Sequence, residues 1–298
     1  MKTAKELDYV IHHLCIYDKD PRNHMWPYLK WHHGITNYFS GDTYHIADEG
    51  HADYTFLGCG GRHFQTQLEA PPFQFTYEQE WYKRHGNAYN HICWVVNNAR
   101  ESYDQIREAG AAVCQEFQPF PTYDGFVVRD PEDRWIEIME YTDPLFRVQE
   151  FTNAPSGPCG LQMLGFIEVV EDLERMVDWY CQAMGHQVLK QVGDGDHGLA
   201  VLGDQGWDPA ERNSLMILTT PYHDADRQGY ETHGPYISSI LYQALHVQAA
   251  YDDALWAGME AIEPPTTDPL TGTLTARLRE PSGNQIMLVE PPDDEEGE

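Results

Sequence analysis

The stretch NHICWVV at residues 90–96 begins on a histidine and continues as an apolar run rich in β-branched side chains. A second stretch, RWIEIME at residues 134–140, alternates apolar and polar residues around Glu137. A helical segment (99–109) and a turn-rich segment lie between the two. The apolar run predicts a buried strand, and the alternating run predicts a strand with one buried face. Together they predict one strand–helix–strands unit, which begins at His91 and ends near Glu137.

The same unit recurs along the chain. Residues 129–140 (RDPEDRWIEIME) match residues 279–290 (REPSGNQIMLVE) at an offset of 150. Both segments have an acidic residue and a proline in a turn, followed by an apolar strand that ends in glutamate. Upstream, the helical segment 102–110 matches 250–258 at an offset of 148, and both end on glycine, the usual C-terminal stop of a helix. The chain therefore divides into two halves of similar sequence pattern.

Each half divides again, so that the chain contains four strand–helix–strands modules. The modules cover residues 10–69, 90–140, 164–219 and 237–290. One such module cannot bury its sheet face alone, whereas two modules can curl their sheets around a shared cleft with the helices outside. The fold class predicted is therefore α+β, with paired modules forming two curled mixed sheets. We expect a first domain at 1–145, a linker at 146–160, a second domain at 161–290 and an acidic tail at 291–298.

Composition excludes several classes of function. The 298 residues are 41% hydrophobic and 12% aromatic, which is typical of a globular protein. The formal net charge of −29 disfavours binding to nucleic acid and to anionic membranes. The six cysteines show no C-x-x-C spacing, and Cys15 and Cys93 lie in predicted buried strands. We interpret them as reduced core residues of a cytoplasmic protein. No signal region opens the sequence, and no apolar run approaches the ~20 residues that span a bilayer.

Four residues occupy equivalent strand positions in the first half: His13 and His91 on the first strands of the two modules, and Glu69 and Glu137 on the last strands. Imidazole and carboxylate groups together suit Fe(II), Ni(II), Zn(II) or Mn(II). The sequence therefore predicts a divalent metal site in the first half.

Two alternatives stay open within this ligand set. Gln65 and Gln67 share a strand face with Glu69, so either could replace it. His12 could replace His13 if the strand slips by one residue. The second half has lost the whole set, because the corresponding positions carry Gly165 (or Met163), Thr219, Ser239 and Met287.

These residues resemble the vicinal oxygen chelate superfamily, which includes glyoxalase I, methylmalonyl-CoA epimerase and extradiol ring-cleaving dioxygenases. The resemblance rests on residues 91–96, 130–137 and 172–175 and covers essentially the whole chain, with a layout most similar to two-domain glyoxalase I enzymes. It implies the glyoxalase/bleomycin-resistance/dioxygenase fold, built from four βαβββ modules, with His13, Glu69, His91 and Glu137 as metal ligands. A glutamine in place of Glu69 would be more similar to the epimerase.

Three positions depart from the family patterns. Tyr17 stands where glyoxalase I has a basic residue for the glutathione carboxylate, and Phe73 stands where it has an asparagine. We therefore do not expect a glutathione substrate. Val127 stands where extradiol dioxygenases have a tyrosine.

The function that the resemblance implies first is a metal-dependent isomerase or lyase. It would chelate two vicinal oxygens of a small non-glutathione substrate, pass through an enediolate-type intermediate, and use Glu137 or Glu69 as the base. The alternative is an Fe(II) extradiol-type dioxygenase that cleaves a catechol or phenolic substrate. It would use His13, His91 and Glu137 as a 2-His-1-carboxylate triad, with an acid–base residue among His63, His85 and Tyr123. A second alternative is a non-catalytic protein that binds a small molecule.

The partner expected in each case is a small molecule. Residues 26–33 (WPYLKWHH) could wall an apolar or aromatic substrate pocket, and Tyr77, Trp81 and Tyr82 could form a lid. Members of the superfamily often pair, so the resemblance also allows a homodimer.

Overall fold

The computed structural model describes residues 9–19, 27, 30–31, 37–41, 54–58, 65–69, 76–120, 123–142, 159–194, 197–203 and 214–291. In 37–41, 54–58, 65–69 and 76–77 it describes the backbone alone, with the side chain of Thr66 as the exception. Much of the first module, including most of the aromatic segment 26–33, therefore lies outside the described residues, as do Cys59 and His63.

The first half forms an eight-stranded mixed sheet with the strand order β2-β3-β4-β1-β5-β8-β7-β6. Its strands are β1 (Val10–Tyr17), β2 (Asn37–Gly41), β3 (Tyr54–Gly58), β4 (Gln65–Glu69), β5 (Ala88–Val95), β6 (Ala112–Pro119), β7 (Tyr123–Arg129) and β8 (Trp135–Tyr141). The first strand of each module pairs in parallel with the last strand of that module, β1 with β4 and β5 with β8. Strands β1 and β5 pair antiparallel at the centre of the sheet. The two described helices of this half are α1 (Thr76–His85) and α2 (Ala99–Glu108).

The second half repeats this topology as β10-β11-β12-β9-β13-β16-β15-β14. Its strands are β9 (Gln162–Val169), β10 (Gln187–Asp194), β11 (His197–Gly203), β12 (Leu215–Thr219), β13 (Tyr236–Gln243), β14 (Glu260–Thr267), β15 (Leu274–Arg279) and β16 (Gln285–Val289). Its helices are α3 (Leu173–Met184), α4 (Asp224–His233) and α5 (Val247–Ala257). The predicted α+β class with two mixed sheets is confirmed. The predicted domain boundaries stay a prediction, because most of the linker and of the acidic tail lies outside the described residues.

Helix ends follow local capping chemistry. Asn98 accepts a hydrogen bond from the backbone N–H of Glu101 at the start of α2, and Asp172 accepts one from Arg175 at the start of α3. Gly185 ends α3 at φ 69°, a left-handed conformation that glycine adopts without a steric penalty. The helices predicted at 99–109 and from 172 onwards therefore form where the sequence pattern indicates.

One hydrophobic core spans both halves. The ring of Trp94, from β5, lies 6.5 Å from that of Phe166 in β9, and Trp31 donates a hydrogen bond from Nε1 to the carbonyl of Ala250. Cys15 and Cys93 are fully buried, and neither forms a disulfide with another described cysteine, as predicted. The prediction that the cysteines are core residues is wrong for two of them, since Cys114 and Cys181 are free but only half-buried. Across the described residues, no helix combines the length and the apolar character that crossing a membrane requires.

A cluster of buried carboxyl groups also joins the halves. Glu132, after β7, accepts hydrogen bonds from the backbone N–H groups of Glu171 and Asp172, where the N-terminal end of the α3 dipole favours negative charge. Tyr180 Oη lies 3.0 Å from Asp130 Oδ2 and 3.3 Å from Glu168 Oε2. Burial raises the pKa of Asp130 to about 6 and raises the pKa of Glu168 well above its ordinary value.

Candidate metal centre

Strand register brings three of the predicted ligands to the centre of the first sheet. His13 on β1 is the pairing partner of Cys93 on β5, and Cys93 is in turn the partner of Glu137 on β8. Residues paired across a sheet project on the same face, and so does His91, two residues before Cys93. The side chains of His13, His91 and Glu137 therefore converge on one face.

The three donor groups lie within reach of a single ion. Glu137 Oε2 is 3.8 Å from His13 Nε2 and 3.4 Å from His91 Nε2, and the ligand atoms of all three residues lie within 4.8 Å of one another. The two histidines are 2% and 8% exposed, while the Glu137 side chain is 20% exposed. Within the described part of the chain, His91 Nε2 is buried without a hydrogen-bond partner. A cation bound between this buried ring nitrogen and the carboxylate would give the nitrogen lone pair a partner.

Burial also sets the protonation of two groups at the centre. Desolvation lowers the pKa of His13 well below its ordinary value, and the nearby His12 and His91 lower it further. His13 is therefore neutral near pH 7, which is the form that binds metals. Desolvation raises the pKa of the Cys93 thiol well above its ordinary value, and the charge of Glu137 acts in the same direction. A second group of potential ligands consists of His12, His13 and Cys93, so it has His13 in common with the first group.

The fourth predicted ligand, Glu69, lies on β4, where the structure describes the backbone and not its side chain. The register pairs Glu69 with Tyr17, and it pairs Gln67 with Cys15. Cys15 follows His13 by two residues, just as Cys93 follows His91 by two, and Cys93 pairs with Glu137. Gln67 therefore occupies the backbone position in the first module that Glu137 occupies in the second.

Aromatic side chains lie beside His91. Tyr17 is fully buried, with its ring centroid 6.5 Å from that of His91 and 5.5 Å from that of Trp81 on α1. Trp81 lies 6.3 Å from Trp135, which is the pairing partner of His91 on β8. Trp81 and its neighbour Tyr82 were predicted from the sequence to form a lid, and that role stays a prediction.

Two of the predicted acid–base candidates contact neighbouring aromatic rings. His85 stacks on Trp81 at 4.5 Å, and burial lowers the pKa of His85. Tyr123 stacks on Phe120 at 4.4 Å, at the start of β7. The third candidate, His63, lies outside the described residues.

Two polar neighbours of the histidines were missed by sequence reasoning. Asn90 Oδ1 lies 2.7 Å from His91 Nδ1, and His12 Nδ1 lies 2.9 Å from His13 Nδ1. Tyr141 Oη lies 3.3 Å from His12 Nε2. The available signal was the polar residue immediately before each predicted ligand histidine.

The second half has the same backbone positions but carries no imidazole or carboxylate at them. Register makes Gly165 the counterpart of His13, Ser239 of His91 and Met287 of Glu137. Buried Ile167, Leu241 and Met287 form a hydrophobic cluster there, packed against Leu164, Ile217 and Val289. A Cβ atom on Gly165 would lie 1.7 Å from the carbonyl oxygen of Leu215, so a histidine does not fit at this position.

A buried ion pair fixes α4 beside this second cluster. Arg277 on β15 pairs with Met287, and its guanidinium donates two hydrogen bonds to Asp226 on α4, at 2.8 Å and 2.9 Å. The side chains of Arg277 and Asp226 are 3% and 0% exposed. Glu263, which is 34% exposed, lies 3.4 Å from Arg277 Nε.

Comparisons with known proteins agree with this architecture. Residues 165–288 match the family described as the Glyoxalase/Bleomycin resistance protein/Dioxygenase superfamily. No curated protein sequence matches the chain. Among solved structures, a triple mutant of 4-hydroxymandelate synthase from Streptomyces coelicolor has a TM-score of 0.67 at 12% identity, covering 95% of this chain and 93% of that one.

Two further solved structures share the fold. A Mn(II)-bound glyoxalase from Novosphingobium aromaticivorans has a TM-score of 0.60 at 11% identity, over 96% of this chain and 82% of that one. BphC, a halotolerant catechol dioxygenase, has a TM-score of 0.58 at 12% identity, over 98% and 90%. Residues 165–288 therefore form a domain of the glyoxalase/bleomycin resistance/dioxygenase (vicinal oxygen chelate) superfamily, and the first half repeats the strand order of that domain.

Proposed function

We propose that the first half is a divalent metal site and that the protein is a metal-dependent enzyme acting on a small substrate with two neighbouring oxygens. The observation that carries this proposal is the convergence of His13, His91 and Glu137, whose ligand atoms lie within 4.8 Å of one another. Two imidazoles and one carboxylate on one side of an ion leave positions open for other ligands. The ion, when bound, would polarise the two substrate oxygens and, if it is iron, support chemistry with dioxygen.

The reaction favoured by the surroundings of the site is ring cleavage of a phenolic or catechol substrate. Tyr17, Trp81 and Trp135 form an aromatic cluster beside His91, which suits edge-to-face packing with a substrate ring. Their bulk would also exclude water from the reacting atoms. Two of the solved structures with this fold are described as dioxygenases, BphC and the 2,3-dioxygenase LapB from Pseudomonas sp. KL28.

The second candidate is the isomerase or lyase. It is favoured by the carboxylates of this half, with Glu137 among the converging donors and Glu69 on the parallel strand of the other module. In that reaction Glu137 or Glu69 would move a proton between adjacent carbons of the substrate. If Gln67 takes the place of Glu69 near the substrate, Glu137 is the carboxylate left to act as the base, because a glutamine cannot accept the proton.

Metal analysis of protein purified without air tests the site. We expect about one equivalent of metal in the wild type and in Glu140→Gln, and its loss in Glu137→Gln. Glu140 is the matched control, because it lies on the same strand but accepts a hydrogen bond from Ala99 at the start of α2. Wild-type protein that holds no divalent ion, or Glu137→Gln protein that keeps it, refutes the proposal.

Two further variants, Gln67→Leu and Glu69→Gln, test the fourth ligand and the reaction. Oxygen uptake by the iron-loaded protein with catechols supports ring cleavage, provided that Glu69→Gln retains it. Solvent deuterium entering a hydroxycarbonyl substrate, with loss of that exchange in Glu69→Gln, would instead support the isomerase.

A further inference from the structure

Each ligand histidine is contacted on two opposite sides of its ring. The Nε2 atoms of His13 and His91 lie 3.8 Å and 3.4 Å from Glu137 Oε2. On the other side, His13 Nδ1 faces His12 Nδ1 at 2.9 Å, and His91 Nδ1 faces Asn90 Oδ1 at 2.7 Å. In both cases the second contact comes from the residue immediately before the histidine in the sequence.

Contacts between consecutive side chains are unusual in a strand, because consecutive residues project on opposite faces. Here the strands are irregular at these points. Ile11 pairs with Trp94 and His13 with Cys93, so His12 is an extra residue in β1. Between the pairs that Ile92 and Tyr89 make with β1, strand β5 has one residue more than its partner. Such bulges redirect a side chain locally, which lets residues 12 and 90 reach the rings that follow them.

The second half has the same irregularities without the polar pair. In the pairing of β9 with β13, Leu164 and Ser238 are the extra residues at the two register shifts. They are the counterparts of His12 and Asn90. Ser238 Oγ lies 3.5 Å from Ser239 Oγ, and Leu164 packs against the apolar cluster. The backbone therefore brings the preceding residue to each ligand position in both halves. Imidazole and amide groups occupy these places in the half that carries the candidate ligands.

We infer that His12 and Asn90 are a matched pair of positioning residues, one per module, that hold His13 and His91 as Nδ1–H tautomers with both Nε2 atoms directed at the metal site. The role given to the two residues rests on the proposed metal site, whereas the tautomers are a property of the protein without metal. An amide oxygen only accepts hydrogen bonds, so His91 Nδ1 carries the hydrogen and His91 Nε2 keeps its lone pair.

The same arrangement extends outward from His13. If His13 Nδ1–H donates to His12 Nδ1, then His12 carries its own hydrogen on Nε2 and donates it to Tyr141 Oη, 3.3 Å away. This assignment satisfies both contacts and gives His13 the same tautomer as His91. Partners of this kind fix the orientation of ligand histidines, and their loss typically lowers metal affinity about 10- to 100-fold.

The direct test is long-range ¹⁵N–¹H correlation NMR of the imidazoles in the metal-free protein, which distinguishes the two neutral tautomers. We expect Nδ1–H for both ligand histidines in the wild type. His12→Phe should shift His13 alone toward the Nε2–H form, and Asn90→Leu should shift His91 alone. His12→Asn and Asn90→Asp are the matched controls, because each keeps an acceptor near the ring and should keep the wild-type tautomer. Tyr141→Phe, a milder change on the strand surface, should weaken the preference of His13 alone.

Titration with Co(II) gives the second measurement. The dissociation constant should rise about 10- to 100-fold in His12→Phe and in Asn90→Leu, and stay near the wild-type value in the two controls. Nε2–H tautomers in the wild type, or tautomers unchanged in His12→Phe and Asn90→Leu, overturn the inference. A thiolate-to-cobalt charge-transfer band that disappears in His12→Phe also overturns it, since His12 would then be a ligand together with Cys93. If no protein binds Co(II) but the tautomers are as expected, the proposed function fails and this inference stands.

Discussion

The buried pair of Arg277 and Asp226 offers a sharp test of how the second half is held together. Asp226→Asn preserves the volume of the side chain and removes its charge. The guanidinium then loses a doubly hydrogen-bonded partner at 2.8 Å and 2.9 Å, in a site where the Arg277 side chain is only 3% exposed. One hydrogen of the new amide group would also face the donors of the guanidinium.

The size of the effect follows from burial. Removing one partner of a buried ion pair costs about 3–5 kcal/mol, because the remaining charge is left without compensation. Glu263, at 3.4 Å from Arg277 Nε, keeps part of the compensation, so we expect about 3 kcal/mol for Asp226→Asn. Replacing both partners by apolar residues, as Arg277→Met with Asp226→Leu, should cost less than about 1 kcal/mol. Met287, the pairing partner of Arg277 on the neighbouring strand, already belongs to an apolar cluster.

Urea unfolding followed by circular dichroism measures these differences. The control is Asp133→Asn, which breaks the exposed pair with Arg129, where the two side chains are 69% and 38% exposed. That change should cost about 0–1 kcal/mol. A loss below about 1 kcal/mol for Asp226→Asn, or a double variant less stable than Asp226→Asn, would show that the ion pair does not hold α4 in the way described.

Three further predictions concern buried groups. Folding raises the pKa of Glu168 and of Asp130, so the folded state keeps protons that the unfolded chain releases above pH ~4. The free energy of unfolding should therefore fall as the pH rises from 4 to 8. In Glu168→Gln this fall should be smaller, and urea titrations at several pH values would measure it. Glu132→Ala should lower the free energy of unfolding by about 1–3 kcal/mol, since two backbone N–H groups at the start of α3 lose their acceptor. Thermal or urea unfolding measures this loss, and a negligible loss would contradict the prediction. Cys93 should resist iodoacetamide at pH 8 in the folded protein and react once the chain is unfolded in urea, and rapid labelling of its peptide in the folded state, detected by mass spectrometry, would count against the buried site.

Periodicity and repeats were sufficient to predict the modules, because each element contains several residues whose spacing indicates its type. The same offsets brought His13, His91 and Glu137 to equivalent positions, where the structure places them together. Their role as ligands stays a prediction.

Two features could not be predicted from spacing. Residues 65, 67 and 69 share one face of β4, so the sequence pattern cannot distinguish Gln67 from Glu69, and only pairing with β1 fixes the register. A bulge adds one residue without changing composition, so the contact between His12 and His13 depends on strand pairing that the sequence does not display.

The close approach of Gly165 to Leu215 makes the difference between the two halves hard to reverse. Single substitutions at 239 and 287 could in principle return an imidazole and a carboxylate to the second half. At 165, however, even a methyl group would collide with a backbone oxygen at 1.7 Å. A third donor there would require β9 and β12 to separate, at the expense of their five paired positions. The absence of a histidine at position 165 is thus fixed by the backbone, so the three donors proposed for the first half cannot all be restored at the equivalent place in the second half by changing side chains alone.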